Sequence, residues 1–172
     1  LDDRHGRRAS SCGCLLESGH LSNRIRMHRV EKSVFVPYTA EQMFGLVAAV
    51  KDYPRFLPWC ASSREHPLPD GRVEATVEIH YRGVRSRFTT RNEHVRPSLI
   101  RMQLVDGPFR RLHGEWSFVQ LRDDACKVHL NLHYQFESGL LGRAVAPVFE
   151  AIAGSLIDSF TRRAEALYEL RQ

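Results

Sequence analysis

One stretch near the C-terminus sets the plan of this chain. From Val148 to Tyr168, apolar residues recur at Val148, Phe149, Ile152, Leu156, Phe160, Ala164 and Leu167. Steps of three or four keep them on one face of an α-helix, while Glu150, Asp158, Thr161, Arg162 and Glu165 fall between them and suit water. At ~1.5 Å per residue such a helix is roughly 30 Å long, enough to cross a small sheet. Gly154 sits mid-helix at a cost of about 1 kcal/mol relative to Ala, which predicts close backbone packing there, or room kept for a ligand. Pro147, lacking an amide, should kink or restart the helix near Ala146.

The partner of that helix is written upstream. Val30 to Pro37 alternates as a strand. Thr39 and Gln42 then form a capping box for a short helix with Met43, Phe44, Leu46, Val47 and Val50 on its apolar side. Asp52-Tyr53-Pro54 should break it, and Phe56-Leu57-Pro58-Trp59-Cys60 follows as a bulky aromatic segment, read as a lid under the sheet edge and the mouth of a cavity. Strands are predicted from Cys60 onward, over Arg72–Tyr81, Val84–Val95, Ser98–Val105, Arg110–Leu121 and Ala125–Glu137, with Arg82-Gly83 and Asp106-Gly107-Pro108 as turns. In the last strand Cys126, Val128, Leu130, Leu132, Tyr134 and Phe136 alternate with Lys127, His129, Asn131, His133 and Gln135, the mark of a sheet with one buried and one wet face.

At 172 residues, 42% hydrophobic and 26% charged, the chain has room for one domain with its own core. No run of apolar residues approaches the ~20 needed to span a bilayer. A net charge of +5 and a pI near 9.3 favour anionic partners. Cys12, Cys14, Cys60 and Cys126 show no disulfide framework, and a reducing cytoplasm is expected. Residues 1–26 have no amphipathic period and only Leu15-Leu16 as an apolar core, too short for a signal peptide. They are expected to be a disordered extension, with the native start at Met27. Cys12, Cys14 and His20 match no zinc spacing.

Several stretches together resemble a known family. Val36-Pro37-Tyr38-Thr39-Ala40-Glu41-Gln42-Met43-Phe44 and Tyr53-Pro54-Arg55-Phe56-Leu57-Pro58-Trp59-Cys60 open the match. Phe88-Thr89-Thr90-Arg91-Asn92, the run from Leu104 to Phe118 and Phe160-Thr161-Arg162-Arg163-Ala164 continue it, over roughly residues 28–170. They resemble the coenzyme Q-binding START-like family of the polyketide cyclase/dehydrase superfamily, whose bacterial branch is the ribosome association toxin. The segment before Met27 has no counterpart in the resemblance. The resemblance implies an α+β helix-grip (START/Bet v 1-like) fold: a curved antiparallel sheet of about seven strands around the C-terminal helix, with two short helices after the first strand. It implies a non-enzymatic protein that binds ubiquinone or a similar polyprenyl quinone in an internal cavity and supports respiration, with no catalytic cofactor. The alternative it implies is a toxin of a toxin–antitoxin pair that binds the large ribosomal subunit and blocks subunit association. Partners would then be the apolar ligand, ribosomal RNA, a small antitoxin and the surface of an anionic membrane, for a cytoplasmic protein that can sit at the inner membrane.

Each reading points to residues. An apolar cavity needs an oily wall, for which the candidates are Phe44, Tyr53, Phe56, Leu57, Trp59, Val77, Phe88, Met102, Leu104, Trp116, Leu130, Leu132, Tyr134, Ile152, Gly154 and Leu156; each one by itself also reads as plain core. Ribosome binding needs a basic surface that tracks phosphates, for which the candidates are Arg85, Arg87 and Arg91 on one strand face and Arg110 and Arg111 after the turn; the same pattern fits an ordinary solvated face. An enzyme would need an acid–base pair within the cavity. The phase of Glu115 around Gly114 is ambiguous, no nucleophile–histidine arrangement is visible, and His129 and His133 lack a third metal ligand.

Overall fold

The computed structural model describes residues 27–169. In chain order these form β1 (His28–Val36), α1 (Ala40–Ala48), a 3-10 helix (Val50–Arg55), β2 (Cys60–Pro67), β3 (Val73–Tyr81), β4 (Val84–Val95), β5 (Leu99–Asp106), β6 (Phe109–Arg122), β7 (Ala125–Phe136) and α2 (Leu140–Tyr168). The strands make one antiparallel sheet ordered β1-β7-β6-β5-β4-β3-β2. Strands β2 to β7 follow one another as neighbours, and β1 closes against β7.

The alternation in β7 explains why this sheet has an inside. Every second residue from Cys126 to Phe136 is buried and the intervening ones are half-exposed. Leu130 has no exposed surface, and burying such a side chain fully is worth about 1.5–3 kcal/mol. The capping box forms as read: the Gln42 amide donates to Thr39 Oγ1 at 3.1 Å and the Thr39 amide donates to Gln42 Oε1 at 2.8 Å. α1 stops at Ala48, before Asp52-Tyr53-Pro54, and the 3-10 helix that follows carries Pro54 inside it.

Helix α2 begins at Leu140, directly after Ser138-Gly139 where the helical pattern starts in the sequence, and it runs through Pro147 without a restart. Pro147 withholds one amide from the helix, but Val145, Val148 and Phe149 around it are buried and hold this turn against the sheet. Gly142 lets the first turn pass close to the end of β7, since a Cβ there would lie 2.2 Å from the Glu137 carbonyl oxygen. No close packing explains Gly154: beyond its own stretch of helix an added Cβ would meet nothing within 4 Å, and its carbonyl accepts from the Lys32 ammonium of β1. An 18-residue stretch within Gly142–Tyr168 has a mean hydropathy of 1.3, so by length and composition α2 could cross a bilayer. No single run had suggested this, because scattered charges interrupt the apolar stripe. Val145, Phe149, Ile152, Ala153, Phe160 and Ala164 turn that stripe into the core. The expectations for residues 1–26, including Cys12, Cys14 and His20, lie outside the described residues.

Candidate ligand cavity and basic surface

Between the inner face of the sheet and α2 lies a cavity of about 80 Å³. Its wall brings together ten of the residues expected from the sequence: Tyr53, Trp59, Val77, Phe88, Met102, Trp116, Leu130, Leu132, Ile152 and Leu156. The strand period aligns them, because residues two apart share a face and paired strands present theirs side by side. Val50, Ala75, Thr90, Asn92, Leu112, Phe149 and Phe160 complete the lining. The same period would have found Ala75, Thr90 and Asn92, two or four positions from Val77 and Phe88. Their small or polar side chains concealed them.

A second, outer groove of about 340 Å³ runs along α2, lined by Phe56, Pro58, Trp59, Tyr81, Ala151, Ile152, Ser155, Ser159, Arg162, Arg163 and Ala166. Trp59 and Ile152 belong to both linings, so these two side chains stand between cavity and groove. Phe56 faces the groove rather than the cavity, in edge contact with Tyr53 at 5.9 Å and Phe160 at 5.3 Å.

Five expected wall residues sit elsewhere. Phe44 anchors α1, with ring contacts of 5.7 Å to both His94 and Phe118 and the Arg96 guanidinium over it. Leu57 is wholly enclosed core. Tyr134 stacks on His28 at 5.2 Å and meets Phe149 edge-on at 4.9 Å, in an aromatic cluster with Phe109 and Phe136. Leu104 packs against the core on β5 outside the cavity lining. Gly154, described above, lines neither space. All five have the expected apolar character; what periodicity could not tell is where along the helix the void falls.

The polar chemistry of the cavity is sparse. The Tyr53 hydroxyl donates to the Val47 carbonyl at 2.7 Å, and burial raises its pKa well above the usual phenol range, with Glu65 and Cys60 adding to the shift. Trp59 Nε1 and Asn92 Oδ1 are buried without a hydrogen-bond partner. Cys60 and Cys126 lie outside the lining, and burial pushes each thiol up to about 11. Glu115 resolves to the outer face, where its carboxylate meets Arg101 at 3.3 Å. There Glu31, Asn131, Glu115, Arg101 and Glu93 stand opposite one another across β1, β7, β6, β5 and β4. His133 stacks on His113 at 4.9 Å, and burial, then the neighbouring His113, lowers its pKa. Among the described residues no group of three His, Cys, Asp or Glu side chains could hold a metal ion.

The basic candidates divide. Arg91 is neutralised by Glu74 at 2.7 Å, the residue opposite it on β3. Arg85, Arg87, Arg110 and Arg111 are exposed, and none has an acidic partner among the described residues. The two pairs belong to one end of the sheet. At Gly107, in the turn before Arg110, an added Cβ would lie 2.6 Å from Phe88 Cβ and 3.3 Å from the Arg87 carbonyl oxygen.

The polyketide cyclase/dehydrase and lipid transport family model matches residues 36–161. The chain belongs to that family. A member of it from Escherichia coli strain K12, named ribosome association toxin RatA, is 38% identical over 91% of this chain and 99% of the relative. That span exceeds the stretch from Met27 onward, so part of the preceding segment has a counterpart after all. A more distant member, coenzyme Q-binding protein COQ10 homolog B of Xenopus laevis, is 25% identical over 80% of this chain and 58% of the relative. Of the two roles implied by the sequence resemblance, the relatives therefore back ribosome association better than quinone binding. Among solved structures of the fold, the ZhuI aromatase/cyclase of a Streptomyces species superposes with a TM-score of 0.70 at 16% identity, covering 81% of this chain and 94% of that one. An 18 kDa protein of Caulobacter crescentus does so at 0.64 and 33% identity, covering 83% and 99%. The architecture is the START/Bet v 1-like helix grip.

Proposed function

We propose that the protein is a ribosome-associating toxin of the RatA kind, which binds the large ribosomal subunit and blocks its joining to the small one. The observation that carries this reading is the 38% identity to RatA along nearly the whole of that relative. The unpaired Arg85, Arg87, Arg110 and Arg111 at one end of the sheet support it, since phosphate contacts supply most of the affinity for RNA. The working location is then the cytoplasm, where ribosomes are. Co-sedimentation with purified large subunits at increasing salt tests the idea. Replacing all four arginines by Ser should flatten the slope of log affinity against log salt by about 3. Arg91→Ser, which removes a charge already held by Glu74, should barely change it. Equal slopes for the quadruple variant and the parent would refute the surface.

A second reading is favoured by the cavity: the domain also carries an apolar ligand of the ubiquinone class. The inner lining is almost entirely hydrocarbon and adjoins a larger groove, and a distant relative is named for binding coenzyme Q. Binding without catalysis is the role that suits it. Tyr53 is the only ionisable side chain on the inner lining, and its hydroxyl is already engaged by Val47. An antitoxin or an anionic membrane would meet the outer surface, which leaves the cavity free.

A further inference from the structure

The outer groove along α2 joins aromatic rings to cations. Phe56 and Tyr81 line it, and so do Arg162 and Arg163, of which Arg162 is exposed and Arg163 half-exposed. A guanidinium lies over each of the two rings, Arg163 over Phe56 at 5.3 Å and Arg82 over Tyr81 at 5.2 Å. Arg82 holds a backbone conformation that side chains avoid. Its φ is 51°, beside Gly83 at 79°, and among the described residues no other non-glycine has a positive φ. Tyr81 pairs with Val84, so Arg82 and Gly83 form a two-residue hairpin turn, whose first position suits Asn or Gly. None of Arg82, Arg162 and Arg163 has an acidic partner among the described residues. A flat ring that carries negative charge answers both features at once.

We propose that this groove takes one unpaired nucleotide of an RNA strand, with its base stacked on the ring–guanidinium pairs and its flanking phosphates held by Arg82, Arg162 and Arg163. The inference rests on the ribosomal reading above and specifies the RNA it meets, a single-stranded loop or bulge. The nucleotide is unpaired because a base within a duplex has no free face, whereas an unpaired one stacks on aromatic rings and guanidinium planes alike. The groove also continues the basic face. Tyr81 and Arg82 stand at the tip of the hairpin whose outer side carries Arg85 and Arg87. One strand can therefore run its phosphates along the sheet and turn a base over the hairpin tip into the groove. An acidic peptide would pair with the arginines but would leave the flat ring faces unused.

Fluorescence anisotropy of the full chain, titrated with a dye-labelled RNA of six CA repeats and with the same strand paired to its UG complement, tests this at one salt concentration. Charge alone favours the duplex, which has twice the phosphates. The single strand should nonetheless bind about tenfold more tightly, as expected for one stacked base. Tyr81→Leu should erase that advantage and leave duplex binding unchanged. Replacing Arg162 and Arg163 together by Gln should flatten the salt slope for the single strand by about 1.4, at ~0.7 per phosphate contact. Equal or tighter binding of the duplex by the unaltered chain would overturn the groove site, and the ribosomal reading would stand if large subunits still co-sediment. Binding of neither RNA nor subunits would overturn both. An alternating Glu-Leu octapeptide, or vesicles of phosphatidylglycerol, bound more tightly than the single strand and lost with Arg162 and Arg163 would also overturn the nucleotide site. The comparison of the two RNAs needs no variant, so it holds whether or not Tyr81→Leu folds.

Discussion

Filling the inner cavity should make the protein more stable and less able to take up a ligand. Ala75 is the place to do it: its side chain is 2% exposed and lies on the lining, opposite Thr90 of β4. An empty space of about 80 Å³, at ~24 cal/mol per Å³, costs roughly 2 kcal/mol. Ala75→Val adds two methyl groups at ~0.8 kcal/mol each, and some of this is lost to imperfect fit. The net gain expected is about 1 kcal/mol. With a urea m-value of ~1–3 kcal/mol/M, the unfolding midpoint should rise by roughly 0.5 M with m unchanged. Valine also favours strands over alanine, so Ala61→Val on the exposed side of β2 serves as the control for that preference. If Ala75→Val gains no more than Ala61→Val, or loses stability, the void does not reach Ala75 and the cavity assignment fails.

Two further outcomes are expected. Gly154→Ala should add about 1 kcal/mol in a urea melt, because its Cβ would meet nothing within 4 Å, and should leave ligand uptake unchanged; a destabilised variant would show that the helix needs glycine there. His94, in edge contact with Phe44, has its pKa lowered by burial, with Arg96 reinforcing the shift and Glu65 opposing it. The unfolded chain therefore binds this proton more readily than the folded one. The contribution of His94 is complete above its ordinary value of 6.5 and is lost as pH falls through the range below it. The urea midpoint should drop between pH 7 and pH 5, and drop less in His94→Phe. Parallel losses in the two proteins would exclude His94 as the source.

Elements whose pattern repeats were legible in the sequence, and those set by a single contact were not. The period of two in β7 and the period of three to four in α2 each state which face is buried, and the capping box at Thr39 names its own hydrogen bonds. From these the helix grip and most of the cavity wall follow. The start of α2 was marked by Ser138-Gly139 closing the last strand, but the close pass of Gly142 by the Glu137 carbonyl was not, because that contact joins segments with no period of their own. At Pro147 the helix does not restart, because the one missing amide bond is outweighed by burial of its neighbours. Phe44, Leu57 and Tyr134 show the limit for sites: an apolar side chain on the inner face reads the same whether it borders a void or another ring. Arg91 shows the matching limit for charge, since only the register of β3 against β4 reveals that Glu74 already holds it.

The chain has two tryptophans, Trp59 and Trp116, and both stand on the wall of the inner cavity. Its indole emission therefore comes wholly from that one place. Water entering, a ring sliding in or Trp59 swinging aside each changes the surroundings of an emitter directly, without a label or an engineered probe. The protein reports the state of its own interior in its fluorescence spectrum.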